Sequence, residues 1–248
     1  MNDNLLKNKK TRYRMIDYTK SFASRESRGF DAGLRAYMLK IYNYMALALL
    51  VTGTFAYATL NFPPLNYLMY NTPFGMIVTF APIAISLFFF MGMGTMSVNK
   101  AHTLFWVYAA VMGMSLSSLG LVYTGQSLAK TFFICSAVFG SMSLYGYTTK
   151  KDLTSVGSFL TMGLIALVVV SFINIFLKSS AVSFATSFIG VGIFMGITAW
   201  DTQKLKSMYF SSGGGQMGEK IAIVGAFTLY LDFINLFLHM LRFLGDRK

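Results

Sequence analysis

Seven apolar runs dominate the chain, at about 36–60, 73–98, 101–123, 128–147, 156–177, 181–200 and 221–241. Each is long enough for a helix to cross about 30 Å of hydrocarbon. With 55% hydrophobic and 12% charged residues and a mean hydropathy of +0.56, too little polar surface is left to coat a soluble core. The runs are about twice the length of a barrel strand and do not alternate, which excludes a transmembrane β-barrel. The fold expected is therefore an all-α membrane protein with seven transmembrane helices, embedded in the lipid bilayer.

The breaks between runs carry turn and charge signals. They are Asn61–Thr72 with Pro63 and Pro64, the pair Asn99 and Lys100, Thr124–Ser127, Thr148–Ser155, Lys178–Ser180, and Asp201–Lys220 with its three consecutive glycines. The formal net charge is +12, and the excess is local. Ten of the 21 cations fall between Lys7 and Lys40. Beside a membrane span such a segment reads as a cytoplasmic tail against anionic lipid. Nucleic acid is not an expected partner, because no recognition domain accompanies the charge. The expected division is a basic tail at 1–35 and a membrane domain at 36–248, with no cleavable signal. Placing the N-terminus inside puts sixteen cations on the inner side and five on the outer. Three of those five are Arg242, Arg247 and Lys248, so a seventh segment that enters and returns without crossing stays open as an alternative. Cys135, the single cysteine, lies in an apolar run and is expected to be buried and inert.

Small residues favour close helix contact in membranes. Gly192 and Gly196 form one small-xxx-small pair, and Ser115, Ser117, Ser118, Gly140, Ser141, Ser143 and Gly146 suit the same role in spans three and four.

The nine acids discriminate best. Seven lie in expected tails or loops. Asp201 closes span six, and Asp232 falls eleven residues into span seven, about 16 Å deep. A charged aspartate there costs roughly 2.5–3.5 kcal/mol on insertion scales. Gly225, Thr228, Asp232, Asn235, His239 and Arg242 recur at intervals of 3, 4, 3, 4 and 3, so they share one helical face. Lipid cannot satisfy such a face, which predicts that span seven is central with the stripe turned inward. The stripe serves either a functional carboxyl or a hydrogen-bonded seam, and His239 either relays protons or is a satisfied interfacial residue. By depth counting Asp201 sits about 12 Å shallower than Asp232. Contact between them requires span six to continue inward past Lys204, or the glycine-rich loop to dip.

Ala199-Trp200-Asp201-Thr202-Gln203, followed by Leu229-Tyr230-Leu231-Asp232-Phe233-Ile234-Asn235-Leu236-Phe237, strongly resembles the Bax inhibitor-1 family of membrane proteins, in its bacterial branch. Tyr145–Leu153 after span four and Val170–Phe176 in span five extend the resemblance over most of residues 35–245. It implies a seven-helix fold whose last helix is surrounded by the other six. It also implies that Asp201 and Asp232 form a hydrogen-bonded pair that senses pH and gates a calcium leak, in the bacterial inner membrane. Two close carboxylates cannot both ionise cheaply, so such a pair shares a proton. Calcium would bind it weakly, with Thr228 or Asn235 and water adding oxygens. No resident cofactor and no enzymatic activity are implied. A further implication is a non-transporting regulator that binds a membrane-anchored ATP-dependent protease, with the basic tail as its handle. Two departures stand out: Trp200 replaces the usual tyrosine, and span two lacks a charged residue, where relatives can use an arginine to latch one aspartate.

An intramembrane aspartyl protease also pairs two aspartates across helices. The chain lacks its glycine-bearing motif before Asp232, and no proline follows Pro82. A retinal protein needs a lysine inside the last span, and none lies between Lys220 and Lys248. Metal hydrolysis needs clustered ligands, and His102 and His239 are the only histidines.

Overall fold

The computed structural model describes the backbone of residues 3–212 and 215–248, and the side chains of 32–209 and 218–248. The side chains of the expected basic tail therefore lie almost wholly outside the described residues. The chain forms α1 (Asp3–Asn61), α2 (Pro63–Tyr70), α3 (Phe74–Gly92), α4 (Val98–Leu116), α5 (Leu119–Val122), α6 (Gly125–Thr148), α7 (Thr154–Leu177), α8 (Ser180–Ser212) and α9 (Gly215–Leu244). Seven stretches within them are long and apolar enough to span a bilayer, at Ala32–Asn61, Phe74–Gly92, Val98–Val122, Gly125–Thr148, Thr154–Leu177, Ser180–Tyr209 and Gly218–Leu244. The protein is an all-α membrane protein.

Local chemistry explains the boundaries. Pro63 and Pro64 lack the amide hydrogens that would continue α1, and they start α2 instead. Ser97 and Thr124 cap α4 and α6 by accepting from the amides of Lys100 and Ser127. Span two stops at Gly92, short of the expected residue 98, because the chain turns there and the Met96 amide donates back to the Gly92 carbonyl at 2.9 Å.

The larger difference lies at 201–220, expected as a break. Here α8 runs on to Ser212. Thr202 and Leu205 continue its buried face beyond Asp201. Lys204 lies over the Trp200 ring at 5.1 Å, and Lys206 donates to the Tyr147 carbonyl at 2.8 Å. Two lysines with partners of this kind do not interrupt a helix, since their stems lie along it while their heads reach polar groups.

Helix α9 is the core. In its apolar window 61% of the residues are buried, against 0–33% in the other six spans. α1, α4, α6 and α8 pack directly on it. α3 reaches it through Phe89 and Phe90, whose rings lie 4.3 and 5.4 Å from that of Phe227. α7 packs on α8 and turns Phe159, Ile165 and Phe172 outward to lipid. The wall around α9 thus has four full members and one aromatic contact, with α7 behind α8.

A buried threonine ties three helices together. Thr52 Oγ1 donates to the Ala109 carbonyl at 2.9 Å and lies 2.7 Å from the Tyr230 hydroxyl. Interhelical hydrogen bonds in membranes are worth roughly 0.6 kcal/mol on average, so Thr52→Val should cost about 1 kcal/mol for the two. Thr54→Val, which loses only an exposed bond to its own helix, should leave the denaturation midpoint in detergent unchanged.

The two ends of the bundle differ. At one, Glu219 of α9 accepts from Lys40 and from the Tyr44 hydroxyl at 3.0 Å, and it lies 3.3 Å from His102. At the other, the C-terminal residues fold back on the α5–α6 turn. The Asp246 amide donates to Ser127 Oγ at 2.9 Å and the Lys248 amide to the Val122 carbonyl at 2.9 Å. Helix α9 is thus continuous from one end of the bundle to the other and does not turn back within it. Arg242, Arg247 and Lys248 lie on the face opposite Lys40.

Candidate functional site: a buried aspartate pair

The extension of α8 carries Asp201 inward, with eleven residues of helix, about 16 Å, beyond it. The Asp201 and Asp232 carboxyls lie close enough to interact across the α8–α9 contact. Both are buried, exposing 8% and 6% of their surface. An ionised carboxylate only accepts hydrogen bonds, so a bond between the two groups requires one proton. Asp232 Oδ2 is buried with no hydrogen-bond partner among the described residues. Such a group is costly in a low-dielectric interior.

A short polar relay flanks the pair. The Tyr42 hydroxyl donates to Ser143 Oγ at 3.2 Å, and Ser143 Oγ lies 3.0 Å from Thr202 Oγ1, next in chain to Asp201. Lys204 is the cation whose field reaches Asp201. Tyr42 and Thr202 are not distinguishable from the sequence as neighbours of the site, because tyrosine and threonine are ordinary in spans; adjacency to Asp201 is the available signal for Thr202.

The remaining stripe residues do not converge on the pair. Asn235 Nδ2 donates to the Leu231 carbonyl of its own helix at 2.8 Å. Thr228 makes no hydrogen bond to either aspartate among the described residues. His239 sits further along α9, stacked on Phe194 at 5.5 Å, with Nδ1 buried and unpartnered. It lies against Gly190, where a Cβ would come within 2.4 Å of that nitrogen. No group of three or more histidine, cysteine or acidic side chains that could hold a metal occurs among the described residues. A resident calcium wants six to eight oxygens, so two carboxyls alone suit brief contact with a cation better than storage.

Residues 34–248 match the family described as inhibitor of apoptosis-promoting Bax1. The chain belongs to this family. Among relatives, a Rickettsia prowazekii protein is 60% identical over 94% of this chain and all of its own length. A Caulobacter vibrioides protein is 44% identical over 94% of this chain and all of its own length. The Escherichia coli inner membrane protein YbhL is 42% identical, covering 88% of this chain and 94% of YbhL.

Within this Bax inhibitor family member the two sequence departures have a structural setting. Trp200 turns away from the pair, and its indole covers Gly157 of α7, where a Cβ would lie 2.1 Å from the ring. Losing a tyrosine hydroxyl there takes nothing from Asp201. In α3, Phe89 and Phe90 fill the contact with α9, so span two offers the pair no cation.

Proposed function

We propose that the protein is a proton-sensitive cation leak, with calcium the permeant ion, gated by the Asp201–Asp232 pair. It sits in the bacterial inner membrane with its N-terminus in the cytoplasm, needs no resident cofactor and catalyses no reaction. The reading is supported by one observation, two buried carboxyls that face each other from α8 and from the central α9. With one shared proton the contact is attractive and α8 stays against α9. Loss of that proton leaves two negative charges in a low-dielectric site, where their repulsion separates the helices. A divalent cation relieves the repulsion and is drawn to the same place.

The test is calcium flux into vesicles holding the purified chain, followed against pH. Flux through the wild type should rise with pH, by up to about tenfold per pH unit for a single controlling proton. Asp201→Asn should flatten that profile. Asp152, in the α6–α7 turn, serves as a control. Hydrogen bonds from the Thr154 hydroxyl and amide hold its carboxyl below the usual range, so it stays charged throughout. An Asp201→Asn protein with the flux and pH profile of the wild type ends the proposal.

A further inference from the structure

On the face opposite Lys40, the ends of α7, α8 and α9 surround a polar cleft of about 580 Å³. We propose that this cleft binds the phosphate group of an anionic phospholipid. Lys178, Arg242 and Arg247 line it, together with Asn174, Ser183 and the buried Ser187. No carboxylate lines it, and no ion pair reaches any of the three cations among the described residues. Three like charges around one opening repel each other unless an anion or water lies between them.

Two features hold the cations in place. Arg247 belongs to the folded-back C-terminus, bridged to Tyr123 with its guanidinium 6.0 Å from that ring. Lys178 ends α7 in the left-handed region at φ 50°. Glycine would adopt that conformation without the cost of about 1 kcal/mol that a side chain adds. Asn174 locks the turn, accepting from the Ser179 amide at 3.1 Å and donating to Ser183 Oγ at 2.8 Å. A strained lysine in a locked turn, aimed into a cleft with two arginines, is an anion-binding arrangement.

The apolar surroundings favour a lipid as the source of the phosphate. Ile175 and Phe184 line the same cleft and are exposed. The Phe243 ring lies tilted beside those of Phe184 at 5.3 Å and Phe188 at 5.8 Å. Acyl chains would lie on this aromatic strip while the headgroup meets the cations.

Native mass spectrometry of the full chain, titrated with phosphatidylglycerol or phosphatidylcholine in detergent, tests the site. The wild type should retain phosphatidylglycerol preferentially. The double variant K178Q/R242Q should lose that preference by about tenfold, and R242Q alone by about threefold. K130Q, which removes an exposed cation outside the cleft, should keep it. A preference unchanged in R242Q and in the double variant overturns the proposal, as does an equal loss in K130Q. Displacement of the lipid by inorganic phosphate at millimolar concentration overturns the lipid assignment in favour of a soluble anion.

Discussion

Replacing Gly146 by valine should remove most folded protein from the membrane. At this position α6 and α8 cross so closely that a Cβ would lie 2.1 Å from the Ala199 carbonyl oxygen and 2.8 Å from its carbon. Those atoms are helix backbone, so they cannot move aside as a flexible side chain does. Overpacking typically costs 1–3 kcal/mol and occasionally more. A clash against backbone belongs at the top of that range, about 3 kcal/mol or beyond, a large share of a marginal total. The same crossing aligns Ser143 with Thr202 and sets the depth of Asp201, so partial rescue would still disturb the pair. Gly140→Val is the matched control, because a Cβ at Gly140 meets nothing within 4 Å. The measurement is monodisperse yield and denaturation midpoint in detergent. Equal behaviour of Gly146→Val and Gly140→Val would show that the crossing is looser than described.

Gly146 also shows what a single sequence can and cannot reveal. The seven spans and the central place of α9 were legible from bilayer thickness and from a polar stripe on an apolar helix. The stripe does not all turn inward, however: Asp232 and His239 are buried, Thr228 and Asn235 are half-buried, Arg242 is exposed, and the apolar Phe227, Leu229 and Leu236 are fully buried. The small residues were legible only as a group. Gly192 looked like half of a packing pair, yet a Cβ there meets nothing within 4 Å. Gly113 went unremarked, although a Cβ there would lie 2.3 Å from the Thr52 carbonyl oxygen. Spacing along one helix does not say which glycine faces a neighbour, since that depends on how two helices cross. The Asp201–Asp232 contact was hidden for a related reason. Lys204 and Lys206 read as the end of span six, but Lys204 lies over the Trp200 ring one turn back in α8 and Lys206 reaches the Tyr147 carbonyl of α6, so the helix continues. Glu219 read as a loop residue, whereas Lys40, Tyr44 and His102 gather on it across α1, α4 and α9.

Asp232→Leu should abolish the pH response of the leak and at the same time stabilise the fold. In a buried pair of opposite charges, removing one partner strands the other and costs several kcal/mol. Here the partners are alike, so once the shared proton has left the sign reverses. Leucine removes one buried carboxyl, the unpartnered Oδ2 with it, and the need for a shared proton. Asp201 is left with Lys204 one turn away. Replacing buried ionic groups by apolar ones of similar volume is often neutral or stabilising by about 1–4 kcal/mol, and a gain of about 1–2 kcal/mol above the pH at which the shared proton leaves is the expectation. Asp232→Asn separates this from a hydrogen-bonded seam whose only task is to hold α8 against α9. An amide can both donate and accept, so a seam would survive Asp232→Asn and lose about 1–3 kcal/mol in Asp232→Leu, where Asp201 loses its partner. A gate predicts the reverse ordering for leucine and a flat pH profile for both variants. Denaturation midpoints of the two proteins, taken with their calcium flux across pH, decide between a device that stores repulsion beside α9 and a bond that merely fastens it.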